Sequence, residues 1–361
     1  MFILYRDIWE RLSDEDRPII LYGTGNGADK VLDEMAKRGI AVQGIMASDD
    51  FVRGQVFRGF TVKRLDDHAK ELSDPIIIIA FGSQRSEVIG NILSVAGRYT
   101  VLCADVPVYG DNVFDRDFYE ENYNSLQQTR SILADEQSRK VFDGVVDFKL
   151  YGELSSLTEI FTGKDEAFSN ILQLSSAESY LDSGAYRGDT IDEFLKYTDG
   201  HYRHITALEP DRRTYEKLRE HIKDLTDIQA FNMGLWSEDT DLIFNSSLGR
   251  GSSIDKCTAR HNSTDRRKSS ELTAVTCIDT LYKRRPLSYL KMDVEGAEEQ
   301  AVIGGAQVIA RDRPKLNIAL YHRSEDIFRL PLLIHSIRPD YRLYLRQHPH
   351  IPAWDLNLYG V

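Results

Sequence analysis

Short apolar runs alternate along this chain with longer stretches in which apolar residues return every three or four positions. In the first 110 residues the runs are Ile19-Ile-Leu-Tyr22, Ala41-Val-Gln-Gly-Ile45, Pro75-Ile-Ile-Ile-Ile-Ala80 and Tyr99-Thr-Val-Leu-Cys103. Runs that are apolar on both faces predict buried parallel strands. Between them, Val31, Leu32 and Met35 share one helix face, and a second helix starts at Ser86. The pattern then changes. Asp111 to Asn124 is acidic and aromatic and carries no strand signal, whereas Leu126 to Val146 repeats Ile132, Leu133, Val141, Phe142 and Val145 at helical spacing. That spacing predicts an amphipathic helix. Residues 151–174 read as short helices and loop.

Strand and helix alternation resumes at Tyr180-Leu-Asp182 and continues through His204-Ile-Thr-Ala-Leu208, Ile228-Gln-Ala-Phe231, Ser288-Tyr-Leu-Lys-Met292 and Lys315 to Tyr321. Helices are expected over Thr214 to Lys223 and from Gly296, the latter bounded by Gly304-Gly305 and Pro314. Thr240 to Phe244 and Ala274 to Ile278 flank a loop rich in Ser, Gly and Arg, and Tyr341 to Arg346 can pair antiparallel with Leu356 to Tyr359. Strands alternating with helices predict an α/β fold with parallel sheets covered on both faces. The expected organisation is a smaller Rossmann-like unit over 1–110, a helical linker over 111–150 and a larger α/β unit over 151–361.

Composition narrows the function. The chain has 361 residues, above the usual single-domain size, and 42% of them are hydrophobic, which suits a folded globular protein. A net charge of −12 argues against a nucleic-acid surface. The local exception, Arg260, Arg266, Arg267 and Lys268, sits in a Ser/Thr-rich stretch and reads as a solvated loop. Cys103, Cys257 and Cys277 form neither a disulfide framework nor a metal spacing. No apolar run reaches the ~20 residues of a membrane span, and the start is too quickly charged for a signal peptide. A cytoplasmic protein is expected, and a homo-oligomer is compatible with everything above.

Two glycine-rich turns follow strands. Gly23-Thr-Gly25-Asn-Gly27-Ala28 matches the dinucleotide pattern G-x-G-x-x-A, with Asp49 at roughly the expected ~20-residue distance, although the unit is short for a complete dinucleotide fold. Structural docking, substrate capture and dinucleotide binding all remain open for it. Asp182-Ser-Gly-Ala-Tyr-Arg-Gly-Asp-Thr190 is the more informative turn. Gly184 and Gly188 suit close backbone approach to a ligand, and the helix start at Asp189-Thr190 offers free N–H groups. Glu209 ends the next strand, where an acid can accept both hydroxyls of a ribose. Asp182 would repel a pyrophosphate but suits the amino group and sulfonium of S-adenosylmethionine. A tight turn without ligand is the bland alternative.

Taken in order, Asp182 to Thr190, Leu208-Glu-Pro-Asp211, Val275-Thr-Cys-Ile-Asp-Thr-Leu281 and Tyr289-Leu-Lys-Met-Asp-Val-Glu-Gly-Ala-Glu298 resemble the motifs of FkbM-type S-adenosylmethionine-dependent methyltransferases. The resemblance covers about residues 150 to 361. It implies a class I methyltransferase fold, S-adenosyl-L-methionine as cofactor and, usually, O-methylation. On that basis the cofactor residues are Asp182, Gly184, Ala185, Gly188, Glu209, Asn232 and Met233, with Asn232 and Met233 at the strand end that meets adenine in this fold class. The first unit resembles small Rossmann-like domains found at the N-terminus of some sugar acyltransferases and two-domain FkbM-type proteins, which points to a glycan or nucleotide-linked sugar as substrate.

Methyl transfer to a hydroxyl gains from positioning and from a base. Asp293 and His322, at successive strand ends, are the candidates, with Lys291 and Glu295 beside them. Lys291 can equally bury its stem in a strand, and Glu295 can cap a helix. Asp293, Glu295 and His322 would also suit a divalent cation such as magnesium, which nothing here requires; no residue is assigned as a metal ligand. Other readings of the whole chain are a secondary-metabolite O-methyltransferase, a non-catalytic nucleotide-binding or assembly protein, and an NAD-dependent oxidoreductase using Gly23 to Ala28.

Overall fold

A computed structural model describes residues 6–246, 253–255 and 269–361. Cys257 and the cluster Arg260, Arg266, Arg267 and Lys268 lie outside the described residues. The first sheet contains β1 (Ile19–Tyr22), β2 (Gly44–Met46), β3 (Val56–Phe57), β4 (Phe60–Lys63), β5 (Ile76–Ile79) and β6 (Val101–Cys103) in the order β3-β4-β2-β1-β5-β6. All its pairs are parallel except the β3–β4 hairpin. Strands β1, β2, β5 and β6 are buried along their whole length, as hydrophobic strands covered on both faces require, while the expected strand over 41–45 begins only at Gly44.

The second sheet contains β7 (Ser179–Ser183), β8 (His204–Leu208) and β9 (Ile228–Phe231). A separate four-stranded sheet then forms from β10 (Gly234–Leu235), β11 (Thr240–Ser246), β12 (Ser253–Asp255) and β13 (Ser269–Thr276), and the main sheet resumes with β14 (Tyr289–Met292), β15 (Lys315–Ala319), β16 (Leu343–Gln347) and β17 (Leu356–Gly360). Its order is β16-β17-β15-β14-β7-β8-β9, parallel except for β17, which runs antiparallel to both neighbours. The expected late antiparallel pair is therefore present. Strand order reverses between β7 and β14, which makes their carboxyl ends the switch point where ligands bind in open α/β sheets.

The single helix expected over 126–146 is two, Tyr123–Ile132 and Glu136–Tyr151. Asp135 breaks it by capping the second helix, accepting from the Ser138 backbone N–H at 2.7 Å. The Arg346 guanidinium fixes the same carboxylate at 2.8 Å and Glu166 at 2.7 Å. The helix expected from Gly296 is likewise two short ones, Glu298–Ile303 and Ala306–Asp312. Among the described residues, elements that gave no signal include the helix Ile8–Ser13 with its Asp7/Glu10 capping box, the β3–β4 hairpin, the helix Leu65–Glu71, and the helix Asp326–Ile337 with Pro331 inside it.

One apolar cluster joins the two sheets. It runs from Ile20, Ile77 and Ile79 through Val141, Phe142, Val145 and Phe148 to Leu290, Met292 and Leu316. A buried ion pair, Lys149 to Asp105 at 2.5 Å, ties the long helix to the end of the first sheet. The helices after residue 115 thus act as shared core between the two units rather than as a loose linker.

Candidate functional site

Register places the charged residues of the main sheet. Lys291 of β14 pairs with Asp182 of β7 on one side and with Asn317 of β15 on the other, and Asn317 pairs with Tyr359 of β17. Directly opposed residues in a sheet share a face, so a polar row crosses four strands. Lys291, Asn317 and Tyr359 of this row border a cavity of about 60 Å³ whose other lining includes Lys164, Glu193, Asp293 and Asp355.

Asp182 is 0% exposed and lies beneath the turn. One oxygen accepts from the Thr190 hydroxyl at 2.5 Å, and the other lies 3.4 Å from the Lys291 ammonium without an aligned hydrogen bond. Lys291 also donates to the Gly184 carbonyl at 2.9 Å. Burial pushes the Asp182 carboxyl above its ordinary value against the pull of Lys291. Burial lowers the Lys291 ammonium, but Asp182 and Asp293 outweigh it and leave the group above its ordinary value. Lys291 is therefore the cation beneath the turn, and as an ammonium it takes no proton.

The glycines of this turn answer first to the protein. Gly184 has φ +76°, and a Cβ there would lie 1.9 Å from the Asp293 carbonyl oxygen. At Gly188, φ +99°, a Cβ would meet the His221 ring at 2.5 Å. Close chain packing, rather than ligand approach, sets the need for glycine at both. Ala185 is wholly buried, and the Gly184 and Ala185 N–H groups both donate to the Leu208 carbonyl, which ties the turn to β8. Between the glycines Tyr186 holds φ +47° and presents an exposed ring.

Glu209, just past β8, accepts from the Tyr186 N–H at 3.0 Å and the Asp211 N–H at 2.9 Å. Burial dominates and carries its carboxyl up to about 7 despite those donors. The Asn232 side-chain amide donates to the Glu209 and Pro210 carbonyls, both at 2.9 Å, so it braces the loop after β8. Met233 packs half-buried on the shared core. Six residues assigned to the cofactor, Asp182, Gly184, Ala185, Gly188, Glu209 and Asn232, thus belong to one connected set of loops at adjacent strand ends.

Asp293 and His322 also come together. Asp293, after β14, has a side chain 36% exposed; its Oδ1 accepts from the Tyr321 hydroxyl at 3.1 Å and lies 3.3 Å from His322 Nε2. Burial raises the Asp293 carboxyl, but Lys291 and His322 outweigh it and hold the group below its ordinary value. His322 is 0% exposed, so it lies behind Asp293 rather than beside it in the cleft. Glu295 holds φ +54° and brings Oε2 to 3.5 Å from His322 Nε2.

Two residues at this end carried no assigned role in the sequence. Glu298 lies 2.8 Å from His322 Nδ1 and accepts from the Val294 N–H at 2.8 Å. It stands in the quoted Lys291 to Glu298 block, but only the fold shows that the next strand end faces it. Tyr109 comes from the first unit. Its N–H donates to the His322 carbonyl at 2.8 Å, its ring lies 4.1 Å from the Arg323 guanidinium, and a Cβ on Gly296 would strike it at 2.8 Å.

The first glycine turn is built differently. A Cβ on Gly27 would lie 2.7 Å from the Ala80 carbonyl, and Gly23, φ +135°, is tight against Ala80 and Phe81. The helix after it therefore packs directly on the end of β5. The turn after β5 is covered in turn: Ser83 pairs with Ile351, and a Cβ on Gly82 would strike the Trp354 ring at 2.5 Å.

Among the described residues, no helix is long and apolar enough to cross a membrane. Asp293, Glu298 and His322 bring one ligand atom each within 4.8 Å of one another. The same carboxylates lie at ion-pair distance from the ring nitrogens, 2.8 Å for Glu298 and 3.3 Å for Asp293, so the grouping by itself lends no support to a divalent cation.

This sheet order, with an acid and a glycine turn at the switch point, is that of the Rossmann-like methyltransferases. The fold is similar to the crystal structure of Methyltransferase FkbM from Methylobacillus flagellatus KT, with a TM-score of 0.71 and 22% identity, covering 96% of this chain and 90% of that one. Residues 182–354 match the family described as Methyltransferase FkbM domain, and that region is an FkbM-type methyltransferase domain. An rRNA methylase from Streptococcus thermophilus shares 14% identity over 55% of this chain and 92% of that one, with a TM-score of 0.32. Aeropyrum pernix fibrillarin, in complex with natively bound S-adenosyl-L-methionine, shares 14% over 55% of this chain and 73% of that one, with a TM-score of 0.33. These two add nothing to the assignment. No curated protein matches the chain.

Proposed function

We propose that the protein is an S-adenosylmethionine-dependent O-methyltransferase whose acceptor is a hydroxyl of a glycan or nucleotide-linked sugar. The observation that carries the reading is the pairing of Glu209 and Asp293 at strand ends on either side of the Asp182 to Gly188 turn. Glu209 offers a buried carboxylate for the ribose hydroxyls. Asn232 and Met233 stand at the end of β9, toward adenine. The neighbouring cavity is lined by charges of both signs, Lys291 and Asp355 beside the Lys164–Glu193 ion pair at 3.0 Å, a polar setting that suits the amino-acid end of the cofactor.

Bound, the cofactor supplies a methyl group on a sulfonium. Asp293, half-open to the cleft and held anionic, would orient the acceptor hydroxyl and take its proton. A carboxylate of lowered proton affinity is a weak base for a resting alcohol. It suffices here because an oxygen bonding to the methyl carbon becomes strongly acidic, so positioning carries most of the rate. His322 is buried behind Asp293 and is not placed to touch the acceptor. The sugar assignment is supported by the small α/β unit whose Tyr109 segment lies against the Asp293 and His322 loops. Methyl-donor turnover against a panel of glycans and nucleotide sugars tests it: transfer to a sugar hydroxyl supports the reading, and transfer only to non-carbohydrate acceptors replaces it with the secondary-metabolite one.

A further inference from the structure

We propose that His322 and Glu298 form a buried positioning pair that holds Asp293 as an aimed anion at the cleft. The proposal rests on the reading of Asp293 as the residue that meets the acceptor. Its basis is how the ring is surrounded. Glu298 approaches Nδ1 at 2.8 Å, while Asp293 and Glu295 approach Nε2 at 3.3 and 3.5 Å. The contacts lie off the ring's hydrogen-bonding directions, so they are charge contacts rather than aligned hydrogen bonds. A neutral imidazole has one bare nitrogen. Whichever tautomer formed, its bare nitrogen would lie within 3.5 Å of a carboxylate oxygen. The doubly protonated ring presents positive charge to the carboxylates on both sides.

The wider surroundings agree. From the helix after β14 the ring faces Glu298; from the loop before that helix it faces Asp293 and Glu295. From the helix Asp326–Ile337 it faces Asp326, whose buried carboxyl is pushed up by desolvation and by Glu298. Its own neighbours are Tyr321, which bonds Asp293, and Arg323, whose side chain donates to the Gly296 carbonyl and whose N–H donates to Asp326. Burial lowers the imidazole, but Glu298, Asp293 and Glu295 outweigh it and carry it up to about 10. The Glu298 carboxylate also accepts from the Val294 N–H, so one side chain fixes both the histidine and the loop that presents Asp293. The Tyr109 N–H holds the histidine backbone from the first unit.

The test is solution NMR on the full chain labelled with ¹⁵N-histidine and ¹³C-aspartate, with H322Q and D293N used to assign the two signals. The expected result is a His322 ring that remains an imidazolium at pH 8.5, about two pH units above the ordinary histidine value, and an Asp293 carboxyl that titrates roughly one to three pH units higher in H322Q, the usual effect of removing an adjacent opposite charge. E298Q should lower the His322 midpoint and E298D should largely restore it, which a merely space-filling role would not do. A His322 ring in the wild type that titrates near 6.5, or an Asp293 midpoint unmoved in H322Q, overturns the proposal. Should H322Q fail to fold, the wild-type titration and the E298Q shift decide it. Calorimetry with S-adenosylmethionine on the same wild-type sample keeps the two readings apart, because loss of cofactor binding with an intact imidazolium removes the methyltransferase reading alone.

Discussion

Two glycine-rich turns follow first strands in this chain, and they serve different ends. At Gly23 to Gly27 the strand before the turn ends in Tyr22, which bonds Ser48, and the helix after it lies hard against the Ala80 carbonyl. The acid at the dinucleotide distance, Asp49, is exposed and lies 3.8 Å from Arg64, and the neighbouring strand end is covered by the Ile351 to Trp354 loop. At Gly184 to Gly188 the strand carries a buried acid, the strand beside it a buried lysine, and the next strand end a carboxyl poised near neutrality. Glycine spacing therefore reports how closely two chain segments approach. The charged residues on adjacent strand ends report what the turn can bind. A dinucleotide pattern at Gly23 to Ala28 is accounted for by packing, and the acids around Asp182 are not.

The largest effect should come from removing one member of the buried charge pair. Lys291→Met would leave Asp182 as a buried charge without its partner, costing about 3–5 kcal/mol, and Asp182→Ala should cost less because Asp293 still faces Lys291. This differs from the expectation, natural from sequence alone, that Asp182→Ala weakens cofactor binding in an intact fold. Chemical denaturation of the two variants measures it; stability unchanged in both would mean the pair is neutral or solvated.

The glycines sharpen the same comparison. Gly184→Ala meets a backbone oxygen and a positive φ together, so it should cost on the order of 3–4 kcal/mol and abolish cofactor binding. Gly27→Ala meets only the Ala80 carbonyl at ordinary φ and should cost about 1–3 kcal/mol while leaving cofactor affinity intact. Denaturation midpoints alongside calorimetry separate the two. Equal losses of affinity would erase the distinction between the turns.

A smaller effect is expected from Glu209. Its folded midpoint of about 7 lies above its ordinary 4.5, so its contribution to stability is full below 4.5 and is lost as pH rises through 7. Cofactor binding has the opposite sign, since ribose hydroxyls need the carboxylate: affinity should fall as pH drops through 7. Glu209→Gln should weaken binding by about 1.5–3 kcal/mol and flatten that dependence. Affinity titrated from pH 5.5 to 8.5 in both proteins checks this. The smallest effect is a chelator's: EDTA should leave methyl transfer unchanged, because His322 supplies the charge a cation would.

Much of this was legible in the chain. Both parallel sheets followed from apolar runs such as Ile76–Ile79, and the site's strand ends followed from Asp182, Glu209 and Asp293 standing just past such runs. What sequence could not supply was depth and facing. Asp182 and Lys291 are 109 residues apart, and only parallel register sets them side by side. His322 read as a cleft base because histidine titrates near neutrality; the three carboxylates at its ring nitrogens lie 24 to 29 positions back and make it a buried cation. The segment 111–150 read as a linker because the apolar faces of its helices do not say which sheet they cover. They cover both, so a chain begun near Asp111 should expose core rather than survive as a cofactor-binding fragment.

Calorimetry of the full chain with S-adenosylmethionine at pH 8, repeated with Glu209→Gln and with NAD, tests the central claim most directly. The account predicts one saturable S-adenosylmethionine site, roughly ten- to a hundredfold weaker in the variant, and no NAD binding. Binding of NAD with none of S-adenosylmethionine, or an affinity indifferent to Glu209, would contradict it.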